Sequence, residues 1–372
     1  EPYLSGNVGS GTVEELAKWV EYITAADGPM AKLRAENGRK EPWHLKYLGV
    51  GNESWGCGGN FTPEYYANVY RRYQTYCRNF NGNRLYKIAS GASDYDYNWT
   101  EVMMKNAGRY MDGISLHYYT VTTWSGSKGA ATKFDNDDYY WTLGKCLEIE
   151  DVIKKHVDIM DRYDRRGSVG LLVDEWGTWW DEEPGTIRGH LYQQNTMRDA
   201  MVAALSLNVF HNYTRRVKMT NIAQIANVLQ SMVLTKGDQM VLTPTYYVFK
   251  MYVPHQDAKL VPLDVNTAYR KVEGGRLVPN VSATASVKDG VYTISLTNVD
   301  LDETQPIEIA LPAGLKNAKA TGEILTCANI ADYNDFGQPE KVSLKPFTGA
   351  KISNGKLSLT MPAKSIITIS VK

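Results

Sequence analysis

Six short apolar runs separated by longer stretches of helical spacing set the strongest constraint on this chain. The runs are Pro2–Asn7, Lys46–Asn52, Tyr86–Gly91, Gly113–His117, Gly170–Glu175 and Val217–Asn221. Between them lie Thr12–Thr24, Thr62–Phe80, Leu147–Tyr163 and Gly189–Phe210, whose lengths and periodicity suit helices. Thr62-Pro63-Glu64 supplies an N-cap followed by proline at the first helical position. Helical crossovers return the chain to the same end of a sheet, so the strands are expected to be parallel. Such a sheet is either open or closed, and six strands are two fewer than a (β/α)8 barrel requires.

After about residue 258 the pattern turns to period two. Gly290–Thr297, Lys356–Met361 and Ser365–Val371 alternate apolar and polar residues, as in a half-exposed antiparallel sandwich. Pro254–Pro262 reads as the link, giving an α/β domain over 1–255 and a β-sandwich over 256–372.

Charge and composition exclude several classes of function. Lys+Arg and Asp+Glu both total 41, so no basic field points to nucleic acid. No run approaches the ~20 apolar residues of a membrane span. The four cysteines lack CxxC spacing and read as free thiols. His44, His156, His190, His211 and His255 show no ligand spacing, so no catalytic metal and no cofactor are expected. Gly6, Gly9 and Gly11 lack the continuation of a phosphate loop, and Asp135-Asn136-Asp137-Asp138 reads as a solvated turn. Glu1 is not an initiator methionine and no signal peptide is visible, so compartment is not legible. The 25 Tyr and 9 Trp against 7 Phe favour rings with a polar handle, of the kind that line sugar sites.

Two of the runs end on a carboxylate. Tyr47–Val50 leads into Gly51-Asn52-Glu53-Ser54-Trp55-Gly56, and Leu171–Val173 into Asp174-Glu175-Trp176-Gly177. A charge at the end of a buried strand is costly unless it is paired or used. Each Glu alone suits a cap or a salt bridge; together they suit glycosidic cleavage, which needs two facing carboxylates. In that role Glu53 would be a general acid whose semi-buried pocket raises its pKa. His117 and Tyr119 fall on one face of the fourth strand, as i and i+2. From there His117 can bond a hydroxyl or carboxylate, and Tyr119 can hold an ionised nucleophile. Asn52 and Gln224 offer amides to a sugar, and Trp179 an aromatic wall. The segment from Thr120 to Gly144, with Trp124 and Trp141, is expected to flank the cleft.

With Ser115-Leu116-His117-Tyr118-Tyr119 and Asn221-Ile222-Ala223-Gln224, these motifs resemble glycoside hydrolase family 51, the α-L-arabinofuranosidases, over essentially the whole chain. The resemblance implies a (β/α)8 barrel followed by a sandwich, with Glu1 opening barrel strand three. It assigns Glu53 as acid/base and Glu175 as nucleophile of a retaining double displacement. It places Asn52, His117, Tyr119, Trp179 and Gln224 at positions that contact the arabinofuranose ring or the nucleophile. The implied substrate is an arabinose-containing oligo- or polysaccharide, and a homo-oligomer is expected. The first two barrel strands, with further sugar contacts, would come from a companion chain or a segment preceding residue 1. The competing readings are an endo-β-1,4-glucanase or other retaining glycosidase on this scaffold, and a non-catalytic carbohydrate-binding fragment. Pocket shape separates exo from endo action; binding without turnover marks the fragment.

Overall fold

The computed structural model describes residues 1–315 and 318–372. All six expected strands form: β1 (Tyr3–Gly6), β2 (Tyr47–Val50), β3 (Tyr86–Ser93), β4 (Gly113–Thr120), β5 (Gly170–Thr178) and β6 (Val217–Ile222). They hydrogen-bond in sequence order within one sheet, and β1 to β4 pair in parallel. The crossovers carry α1 (Val13–Thr24), α2 (Pro29–Glu36), α3 (Pro63–Tyr76), α4 (Tyr97–Ala107), α5 (Asn136–Tyr163) and α6 (Met197–Asn212). This is the wall of a (β/α)8 barrel. After β6 come the hairpin β7 (Val233–Lys236) and β8 (Gln239–Leu242), then α7 (Pro244–Tyr252).

Local chemistry explains the helix starts. Thr12 and Thr196 cap α1 and α6 as reciprocal capping boxes with Glu15 and Asp199, and Thr62 accepts from Tyr65 N at the head of α3. The expected stretch Gly189–Phe210 therefore becomes helical only at Met197. Likewise α5 begins eleven residues before the expected Leu147. The acidic run read as a solvated turn is its first turn: Asp138 N donates to Asp135 Oδ1 at 2.9 Å, and Asp135 N to Asp138 Oδ2 at 3.3 Å. Acidic side chains also suit the positive end of the helix dipole. The short helices α2, α4 and α7 lie outside the stretches expected from sequence, and caps mark two of them, Asp96 for α4 and Thr243 for α7.

The chain divides into two compact units that cut across the strands. One comprises residues 1–118, 151–174 and 215–220; the other 119–150, 175–214 and 221–372. In the first unit a bulge in the β3–β4 pairing between Ala89 and Ala92 makes room for a close backbone approach. A Cβ at Gly91 would lie 1.5 Å from the Ser115 carbonyl oxygen, so only glycine fits.

In the second unit α6 is buried along nearly its whole length. The C-terminal strands form an antiparallel sheet in the order 345–347, 320–326, 365–371, 291–298, 281–288 and 259–260. A three-stranded sheet of 305–310, 356–361 and 351–353 accompanies it. Ile294, Leu296, Ile367 and Ile369 from the first sheet share one core with Leu357, Leu359 and Met361 from the second. The antiparallel pairing is as expected, but of the three segments read as half-exposed only 356–361 alternates buried and exposed residues; 291–298 and 365–371 are buried on both faces for most of their length. Lys259–Leu260, within the expected link, pairs with Ser286 and Val287.

Candidate active site

Glu53 stands on a loop wound tightly after β2. Its carbonyl accepts from the amides of Gly56 and Gly58 at 2.8 and 3.0 Å, and a Cβ at Gly58 would lie 1.7 Å from Asn52 O. Glu53 itself has φ +43°, an uncommon conformation for a residue with a side chain. Strain of that kind persists only where surroundings enforce it. Here the β3 bulge enforces it: Ser54 N donates to Ser90 Oγ at 3.2 Å, and Trp55 Nε1 to Gly91 O at 3.1 Å. Tyr66 ties the loop's base by donating to Val50 O while accepting from Ser90 N.

The Glu53 carboxylate meets two groups. Its Oε1 lies 3.0 Å from His117 Nδ1, and its Oε2 accepts from Cys57 Sγ at 3.2 Å. Hydrogen bonding to His117 holds the carboxyl below its ordinary range, against the opposing effect of burial. The expected upward shift is therefore not found, because the burial that would raise it also brings a donor.

His117 is 3% exposed and stands between two carboxylates. Its Nε2 is 3.2 Å from Asp174 Oδ1, a close contact without the alignment of a hydrogen bond, since Oδ1 has no hydrogen-bond partner. Asp174 Oδ2 accepts from Tyr3 OH at 2.7 Å. Burial, and after it the charge of Asp174, pushes the Tyr3 phenol well above its ordinary range, so it remains a donor.

In the second unit, the hydroxyl of Tyr119 donates to Glu175 Oε1. Thus β4 supplies partners to both carboxylates from alternate positions on one face: His117 to Glu53 and Tyr119 to Glu175. Trp179 packs edge-on against Tyr119, with ring centroids 5.0 Å apart, and Trp124 stands across Trp179 at 5.6 Å. Trp124 is 57% exposed, which leaves an aromatic face open beside Tyr119.

The sequence profile of the α-L-arabinofuranosidase 1 domain matches residues 7–138, and that of the α-L-arabinofuranosidase C-terminal domain matches residues 174–365. An intracellular exo-α-L-arabinofuranosidase of Bacteroides ovatus is 66% identical over 374 residues, covering 100% of this chain and 73% of that protein. The chain belongs to the α-L-arabinofuranosidases of glycoside hydrolase family 51. Among solved structures, the family 51 arabinofuranosidase of Xanthomonas axonopodis pv. citri superposes with a TM-score of 0.96 at 45% identity, covering 100% of this chain and 75% of that one. The α-L-arabinofuranosidase of Thermotoga maritima, solved with arabinose, gives 0.81 at 26% identity, covering 100% and 75%. As a member of this family the chain is a glycoside hydrolase.

Within this arabinofuranosidase, the remaining expected site residues, Asn52 and Gln224, are both exposed. Asn52 is exposed beside Glu53. Gln224 is exposed on the turn after β6, its amide bonded to Val228 O at 3.1 Å and its neighbour Ala223 packed in a small core with Tyr119 and Leu229. Sequence reasoning missed Tyr3, Cys57 and Asp174 as neighbours of the site. Asp174 was visible as the partner of Glu175 in one dipeptide, whereas Tyr3 and Cys57 carried no signal. It also missed Asp199, whose buried Oδ1 accepts from Thr178 Oγ1 at 2.6 Å and Trp180 Nε1 at 2.9 Å. With Gln193 Oε1 accepting from Trp180 N at 2.8 Å, it fixes the backbone on both sides of Trp179. Among the described residues no helix is long and apolar enough to cross a membrane.

Proposed function

We propose that this protein is an exo-acting, retaining α-L-arabinofuranosidase that releases terminal arabinofuranosyl residues from arabinan- or arabinoxylan-type chains. Glu175 attacks the anomeric carbon while Glu53 protonates the departing oxygen. Glu53 then takes a proton from the water that opens the glycosyl-enzyme, and the two inversions sum to retention. Tyr119 holds the Glu175 oxygen opposite its attacking one. Asn52, Gln224 and Trp179 bind the sugar, and His117 bonds Glu53.

The observation that carries this reading is the matched support of two strand-end carboxylates by alternate residues of β4. Strained backbone at Glu53 supports it, as does the exo activity in the name of the Bacteroides ovatus relative. We further assign the barrel-type domain to residues 1–255 and the sandwich to 256–372.

Hydrolysis of p-nitrophenyl α-L-arabinofuranoside by the protein and its Glu175→Ala variant is the test. Turnover that collapses in the variant, with α-arabinose as the first-formed anomer by NMR, is the expected result. Turnover that survives Glu175→Ala, or a β-anomer formed first, refutes the assignment.

A further inference from the structure

Arg198, in the first turn of α6, is 1% exposed and lies between two aromatic rings: its Cζ stands 3.7 Å from the ring centres of both Phe134 and Trp180. With both faces covered, only the edge of the guanidinium can reach a ligand. Nη2 takes up part of that edge, donating to the carbonyls of Ala130 and Ala131 at 3.2 and 3.1 Å. Among the described residues, neither Nε nor Nη1 has a hydrogen-bond partner, and no carboxylate lies within ion-pair distance. Burial draws the group's pKa down to about 10, more than the charges of Asp199 and Asp138 restore. A buried donor edge without an acceptor is costly to keep unless something occupies it.

The guanidinium lines a cavity of about 330 Å³ in the second unit. Trp141 stands on the same wall, and Asp135, Asp137, Asp138 and Glu273 set four carboxylates around it. Lys128 and Lys133 add two ammonium groups. This rim suits no simple ion: an anion would face the carboxylates, and a cation could accept nothing from Arg198. A sugar hydroxyl both donates and accepts, so it can take an N–H from the guanidinium edge and give its O–H to a carboxylate. The C–H face of a sugar ring also suits an aromatic wall. We propose that this cavity is a second carbohydrate-binding site, which holds a neutral sugar residue of the polysaccharide that carries the arabinosyl unit. The inference rests on the enzyme acting on polysaccharides, as proposed above.

One side chain joins the cavity to the aromatic wall of the arabinose site. Trp179 and Trp180 are consecutive and turn to different partners: Trp179 packs on Tyr119 and Trp124, and Trp180 on Arg198. Lys128 lines the cavity and sets its ammonium 5.6 Å from the Trp179 ring centre. A saccharide whose arabinosyl end lies against Trp179 can therefore continue past Lys128 into the cavity. The volume is near the lower end of ligand pockets, so it takes one or two sugar rings rather than a long stretch of chain. Lys133 and Asp137 are exposed, and among the described residues their side chains make no ion pair or hydrogen bond, which leaves them available to hydroxyls.

The experiment compares the protein with its Lys133→Ala/Asp137→Ala double variant on p-nitrophenyl α-L-arabinofuranoside, arabinan and arabinoxylan. The aryl substrate has no sugar beyond the arabinosyl unit, so its kcat/KM should stay within about twofold. On the polymer whose sugar fills the cavity, KM should rise about tenfold, the worth of two modest hydrogen bonds. A response on arabinan identifies the occupant as arabinose, and a response on arabinoxylan alone identifies it as xylose. Equal losses on aryl and polymeric substrates, or an unaltered KM on both polymers, overturn the proposal. Should the parent hydrolyse neither polymer, the polysaccharide reading has failed, and binding decides the cavity separately. For this, 19F NMR of the protein labelled with 5-fluorotryptophan is followed during titration with α-1,5-arabinotriose and with xylotriose, the Trp141 signal being identified by its loss in Trp141→Phe. A saturable shift of that signal that disappears in the double variant supports the site. An unmoved Trp141 signal at tens of millimolar saccharide, or a shift retained in the double variant, overturns it.

Discussion

Acidification from pH 7.5 to pH 5 should weaken the second unit through two of its histidines, His211 and His255. His255 bridges Ser286 and Ser295 hydroxyls at 2.8 and 2.9 Å, and His211 meets Thr284 Oγ1 at 3.1 Å. Their rings lie 5.0 Å apart. Burial lowers His211 to about 4, and burial with the neighbouring His211 lowers His255 to about 3. A depressed histidine costs nothing above its unfolded value near 6.5. Below that value the unfolded chain gains protons the folded state refuses, and stability falls until the folded value is reached. At pH 5 each ring contributes a loss of about 2 kcal/mol relative to pH 7.5, so the pair contributes about 4 kcal/mol. The depressed carboxyls of Glu53, Asp164, Asp181 and Asp332 act in the opposite sense to a raised base and lose their contribution only below their ordinary range. The window above pH 5 therefore isolates the histidines. Urea unfolding at both pH values, for the protein and for His211→Asn/His255→Gln, measures the effect. The double variant should start less stable yet lose about 4 kcal/mol less on acidification; His156, also lowered by burial, leaves a residual slope. An acid sensitivity unchanged in the double variant refutes the reasoning.

Three further outcomes are expected. Tyr119→Phe removes the hydroxyl bonded to Glu175 and should lower kcat by about 10- to 100-fold, the worth of a hydrogen bond to a charged group, with little change in melting temperature. Gly91→Ala forces a methyl against the Ser115 carbonyl and should destabilise the first unit by about 3 kcal/mol or more, releasing Trp55 and with it the Glu53 loop; thermal melting and kcat should fall together. Arg216, 1% exposed, donates to Asp161, Asp164 and the Val169 carbonyl; Arg216→Met removes these donors while Asp161 keeps Arg215 and Asp164 keeps the Val169 amide, and should cost about 1–3 kcal/mol in urea unfolding.

The sequence disclosed the six strands because each is a short apolar run whose far end changes abruptly to polar residues and glycine. Chain order then became sheet order, since helical crossovers allow few alternatives. It disclosed Glu53 and Glu175 for the same reason, as charges at the ends of strands too apolar to carry them idly. The helix starts were harder to place: the first turn of α5 is Asp-rich, and that composition suits a solvated turn equally well until the reciprocal Asp135–Asp138 bonds are seen. Tyr3 was beyond reach because its importance depends on a contact 171 residues away.

The direction of the Glu53 shift shows why composition alone misleads about a site's electrostatics. A semi-buried carboxyl near an apolar strand is expected to hold its proton, and burial does act in that sense here. But β4 delivers its residues in pairs to one face, so a strand that brings Tyr119 to Glu175 also brings His117 to Glu53. The donor that orients Glu53 is the same group that holds its carboxyl below the ordinary range.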